Sequence, residues 1–186
     1  HPGARPAPRH PHAIQGPRKL AYLEDRKYLD LKESKNKLET LCYNYRDNLD
    51  GGIYQQYMED SARVTFLKTI GETVDWLYDA GENSTFEEYN TRVAAFLATG
   101  EPVKNRYIFY TTIVDCYKRF EELTVFCNAQ LAEIAHLTDE QRNSVIGKVQ
   151  VARDYMNKVK SEIDAKPKTA DPTTTIAEVD NKINML

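Results

Sequence analysis

The chain has 186 residues, 41% of them hydrophobic and 28% charged, with a net charge of −3; that is enough for one helical domain with a core and a solvated surface. Residues 1–18 hold three arginines and no acid, leaving 22 basic against 28 acidic side chains in the rest. An acidic body repels backbone phosphates and argues against nucleic-acid binding, and no apolar run approaches the roughly 20 residues of a membrane helix.

Residues 1–18 carry five of the eight prolines and three of the four histidines. Proline removes backbone donors and excludes helix. The segment is expected to be a disordered arm, a linker or non-native stretch rather than a metal site, and it lacks the apolar centre of a signal peptide. From Leu20 to Leu49 neither proline nor glycine interrupts the chain, and Leu31, Leu38, Cys42, Tyr45 and Leu49 repeat at helical spacing. Gly51 and Gly52 are expected to stop this helix, because glycine enters the left-handed conformation at little cost. A second helix should start at Asp60 or Ser61 and present Val64, Leu67, Ile70, Val74, Leu77 and Tyr78 on its apolar side, with Gly71 placed for close helix approach and Gly81 as its stop.

Thr85-Phe86-Glu87-Glu88 reads as a capping box for a short third helix bearing Tyr89, Val93, Phe96 and Leu97 and closed by Gly100. Pro102 suits the first turn of a further helix running towards His136, about 50 Å long. On it Ile113, Cys116, Phe120, Leu123, Cys127, Gln130 and Ile134 form a heptad seam. Thr138-Asp139-Glu140-Gln141 is a second capping box, opening a helix with Val145, Val149, Ala152, Met156, Val159 and Ile163 along one side. Pro167 and Pro172 mark a linker at 166–173, and Ile176, Val179 and Ile183 align on a last short helix within 174–186. The expectation is all-α: an antiparallel helical bundle over 19–165 with a long extended helix.

Catalytic and metal chemistry find little support. Glu133 and His136 have the spacing of a di-iron motif, but such a site needs a second copy, and His136 is the only histidine outside the arm. Cys127 lies nine residues from His136, about 13 Å along a helix, too far for a nucleophile and its base. Cys42, Cys116 and Cys127 are too scattered for a disulfide framework or a zinc site, and read as reduced core residues of a cytoplasmic protein. Asn83-Ser84-Thr85 fits a glycosylation sequon, yet these residues already serve as loop and helix cap. On the first helix Asn36, Glu39, Tyr43 and Asp47 fall at steps of three and four, opposite Leu38 and Cys42. Periodicity leaves two readings of that face: an ordinary solvated surface, or a contact patch built round a tyrosine.

Several segments together resemble the large heat-shock proteins, the 110-kDa class of the 70-kDa heat-shock superfamily. They are Lys35-Asn36-Lys37-Leu38-Glu39 with Tyr45-Arg46-Asp47-Asn48-Leu49, then Trp76-Leu77-Tyr78-Asp79-Ala80-Gly81-Glu82, Glu101-Pro102-Val103-Lys104-Asn105-Arg106, and Asp171-Pro172 with Glu178-Val179-Asp180-Asn181-Lys182-Ile183. Their order agrees with the C-terminal helical lid of that family from about residue 20 onward. The resemblance implies a parent chaperone that exchanges nucleotide on 70-kDa chaperones and holds unfolded clients. ATP would bind in a domain outside this chain, so no cofactor, metal or catalytic residue is expected here. It implies a partner, the nucleotide-binding domain of a 70-kDa heat-shock chaperone, and makes Asn36, Glu39 and Tyr43 the candidate contact residues. Trp76, Leu77 and Gly81 are expected to be structural. A second reading is an autonomous helical adaptor or holdase using the exposed part of the heptad seam.

Overall fold

A computed structural model describes Gly3 and residues 16–186. The expected disorder of the arm therefore lies mostly outside the described residues. Five helices follow in order: α1 (Pro17–Leu49), α2 (Asp60–Leu77), α3 (Phe86–Glu133), α4 (Asp139–Asp164) and α5 (Ile176–Asn184), with one 3₁₀ turn at Gln55–Tyr57. No strand occurs among the described residues. The all-α bundle expected from periodicity is what forms.

The helices build two groups that share α3. Its first half packs on α1 and touches α2 through Phe66 and Phe96, and its second half meets α4 and α5. The first group is sealed by Leu38, Cys42, Leu49 and Ile70, all fully buried, with Tyr45, Phe66 and Phe96 in tilted aromatic contact at 5.5 Å. In the second group Cys116 and Phe120 of α3 meet Ala152, Met156 and Val159 of α4 and the fully buried Val179 and Ile183 of α5. Each fully buried aliphatic side chain contributes roughly 1.5–3 kcal/mol relative to exposure. Two ion pairs tie the helices of this half, Arg119 to Asp180 at 2.7 Å and Arg153 to Glu121 at 2.9 Å. Arg106 of α3 joins the two halves' loops by donating to Tyr57 O and to Asp171.

The break expected at Gly100 and Pro102 is absent. α3 is one helix of 48 residues, about 72 Å long, with Pro102 inside it. Pro102 costs one backbone donor, but Phe96 and Val103 on either side of it are both buried against the same core, which a break would disrupt. Gly100 keeps a negative φ and does not stop the helix. Its role is spatial: a Cβ there would overlap the ring of Tyr45, so glycine lets α3 approach α1 closely.

Other glycines divide between conformation and space. Gly51 does adopt φ +76° at the end of α1. Gly52 is held against the backbone of Asp47 and Asn48, where no side chain fits. Gly71 has open space around it, so the close approach expected there does not occur. The apolar side of α2 is also rotated from the expectation: Phe66 and Thr73 are buried beside Ile70 and Leu77, whereas Val64 and Tyr78 are exposed. Thr73 can be buried because its hydroxyl donates to Thr69 O at 2.8 Å. Helix starts follow the sequence well. Thr138 and Gln141 close a complete capping box, and Thr85 and Thr175 each accept from an amide three residues on. At Thr85 the box is half made, since Glu88 turns instead to Arg92 at 3.4 Å.

Candidate partner-contact face

The face of α1 named by its periodicity lies beside the turn between α2 and α3. Leu38, Cys42 and Tyr45 point into the core, which fixes the rotation of the helix and turns Asn36 and Asp47 to solvent. Glu39 and Tyr43 are half-buried at the edge of this face. Both are engaged by one residue, Tyr78, the first beyond α2. Its hydroxyl donates to Glu39 Oε1 at 3.2 Å and lies 2.9 Å from the Tyr43 hydroxyl, within hydrogen-bond distance. The hydrogen bond with Tyr43, then the one to Glu39, hold the Tyr78 proton and push its pKa up to about 12. Arg46 stands over the Tyr43 ring at 4.9 Å, and Lys35 donates to Glu82 O at 2.8 Å. Between α1 and the turn lies a cleft of about 430 Å³ whose walls include Tyr28, Lys32, Asn36, Glu39, Glu82 and Asn83.

The turn is built on contacts centred on Trp76 and Tyr89. The Tyr89 ring is buried at 1% exposure, and its hydroxyl donates to Gly81 O at 2.5 Å while accepting from Ser84 N–H at 3.0 Å. Trp76 packs edge-on against Tyr89 at 5.8 Å, and the Arg92 guanidinium covers its ring at 3.8 Å. Gly81 N–H returns to Trp76 O at 2.7 Å. The sequence made Gly81 a helix stop, but α2 ends earlier, at Leu77, and Gly81 has no positive φ. Glycine is needed there because a Cβ would overlap the indole. Leu77 is a core residue at 4% exposure.

Thus Asn36, Glu39 and Tyr43 share one surface, and the segment from Trp76 to Gly81 forms its border. Sequence reasoning missed the link between them, because Tyr78 was assigned to an apolar stripe. Its position one residue past the last buried residue of the helix was the available sign. Among the cysteines, Cys42 and Cys116 are buried free thiols, and burial pushes the Cys42 thiol up to about 11. Glu133 ends α3 and His136 is exposed beyond it. The heptad seam is largely occupied: Ile113, Cys116 and Phe120 are buried, Leu123, Cys127 and Gln130 half-buried, and only Ile134 is exposed.

Neither a protein-family model nor a solved structure matches the chain. Curated relatives do. Heat shock 70 kDa protein 15 of Arabidopsis thaliana is 28% identical over 171 residues, covering 88% of this chain and 20% of its own length. Heat shock protein 110 of Caenorhabditis elegans is 24% identical over 154 residues, covering 79% of this chain and 20% of its own. Over most of its length the chain is similar to heat-shock proteins of the 70-kDa and 110-kDa classes. The 97 kDa heat shock protein of Strongylocentrotus purpuratus reaches 34% identity, over a shorter stretch of 83 residues that is 45% of this chain and 9% of its own length. The chain spans about one fifth of the length of the two relatives that cover most of it.

Proposed function

We propose that this chain is the C-terminal helical region of a large heat-shock chaperone and acts by binding protein, without catalysis of its own. The observation that carries the reading is the surface on which Asn36, Glu39 and Tyr43 come together beside the tryptophan turn, since these are two of the segments that resemble the family. The partner is the nucleotide-binding domain of a 70-kDa heat-shock chaperone, and the parent protein would promote nucleotide exchange there and hold unfolded clients. ATP would belong to the parent's nucleotide domain.

One helix face and a turn offer less than a standard interface of about 1,600 Å², so the isolated chain should bind weakly. Titration calorimetry against the nucleotide-binding domain of a 70-kDa chaperone tests the site. Asn36→Tyr combined with Glu39→Ala should weaken binding while leaving the melting temperature within about 2 °C, since both side chains lie at the surface. Unchanged binding by this double variant would remove the proposed contact. A second reading, an autonomous holdase, cannot use the heptad seam, which is largely occupied, and draws instead on Val125 and Phe126 beside it, which α3 leaves 68% and 59% exposed. Suppression of client aggregation by the chain without any partner chaperone would favour it.

A further inference from the structure

Tyr78 is 65% exposed, so its ring contributes little to the core. Its phenol instead spans from the end of α2 to α1, meeting Tyr43 at 2.9 Å and Glu39 at 3.2 Å. Hydrogen bonds made in water add little to folding stability. What they change is side-chain freedom. A long carboxylate on a helix surface samples several rotamers, and ordering such a side chain on binding carries an entropic cost. Tyr78 restricts Glu39 and Tyr43 before any partner arrives.

The base of this clamp is itself fixed. Tyr78 N–H bonds to Val74 O at 3.3 Å, and Asp79 and Gly81 N–H both return to Trp76 O. Trp76 is in turn held by Tyr89 and Arg92. The nearby cation, Lys35, is directed to the Glu82 carbonyl. None of the ion pairs among the described residues uses Glu39. Its carboxylate is thus held in place by a neutral donor and is not paired with a cation among the described residues.

We infer that Tyr78 is a positioning residue of the partner-contact face, holding Glu39 and Tyr43 in the arrangement that receives a basic side chain of the partner. This rests on the proposed function, and it adds a residue, an order of action and the chemistry of the group received.

The test is a double-mutant cycle in the full chain, read by calorimetry against the nucleotide-binding domain of a 70-kDa chaperone. Tyr78→Phe keeps the ring and removes the hydroxyl. It should weaken binding about three- to tenfold, the cost of ordering the freed Glu39 and Tyr43 side chains on binding, and leave the melting temperature unchanged. In a Glu39→Ala background the same change should weaken binding less than about twofold, because nothing remains to be positioned. Wild-type affinity for Tyr78→Phe, an equal loss in both backgrounds, or a fall in melting temperature that accounts for the loss would each overturn the inference. The Asn36→Tyr and Glu39→Ala double variant separates the two levels. If it binds like wild type, the contact face itself fails and the inference with it; if it binds weakly while Tyr78→Phe does not, only the role of Tyr78 fails.

Discussion

Gly81→Ala tests whether the tryptophan turn is built on space or on backbone conformation. Gly81 has no positive φ, so alanine meets no backbone strain there and would even gain about 0.4–1 kcal/mol by restricting the unfolded chain. Against that gain, its methyl group would overlap three atoms of the Trp76 indole. The indole cannot swing away freely, because Tyr89 and Arg92 hold it. Overpacking of this kind costs about 1–3 kcal/mol, and displacing the ring also forfeits its aromatic and cation–π contacts, each worth about 0.5–1.5 kcal/mol. The net expectation is a loss of about 2–3 kcal/mol. Trp76→Ala, which removes a partly buried indole, should cost about 3 kcal/mol by itself, the low end of the range for large aromatic deletions. In that background Gly81→Ala should cost less than about 0.5 kcal/mol, since the clashing group is gone. Urea titration followed by far-UV circular dichroism is the suitable assay, because the chain has one tryptophan and its fluorescence disappears in half of the cycle. A loss of about 2 kcal/mol or more that persists in the Trp76→Ala background would refute the steric account.

Two further outcomes follow from the same physics. Gly100→Ala should lose about 1–3 kcal/mol because its methyl group would overlap the buried Tyr45 ring, whereas Gly147→Ala, in open space on α4, should gain about 0.5–1 kcal/mol; paired urea midpoints read both, and equal shifts would show that helix propensity alone is at work. Cys42 gives a pH dependence. Its folded thiol titrates near 11 against an ordinary 9.0, so the folded state holds the proton more tightly and stability falls as pH rises through that window. The contribution, at most about 2–3 kcal/mol, is intact below pH 9, and Cys42→Ala should flatten the fall in urea midpoint between pH 9 and 10, below the higher window of Tyr45 near 12. Parallel curves for the two proteins would contradict the assignment.

The local readings of the sequence that held depend on neighbours in the chain. Thr138 with Gln141 closes a capping box, Gly51 takes a left-handed φ at a helix end, and Leu38, Cys42 and Leu49 face the core as their spacing requires. The readings that failed depend on distant residues. Pro102 sits inside α3, although a proline two residues beyond Gly100 reads locally as a helix boundary. The candidate face around Asn36, Glu39 and Tyr43 shows the same division. Its residues were legible from steps of three and four along α1, but the bridge to Tyr78 spans 35 residues to Tyr43 and 39 to Glu39. No periodicity reaches across such a separation.

By itself, then, the sequence determined the all-helical class, most helix starts and the inward side of α1, because hydrogen bonding within a helix and the burial of one stripe are short-range matters. Tertiary structure decided where α3 would not break, which glycines serve space instead of turning the chain, and that an exposed tyrosine after α2 would grip the face of α1. Those outcomes were set by what lies on the other side of each residue: the Tyr45 ring beneath Gly100, the indole beside Gly81, and a carboxylate across from Tyr78.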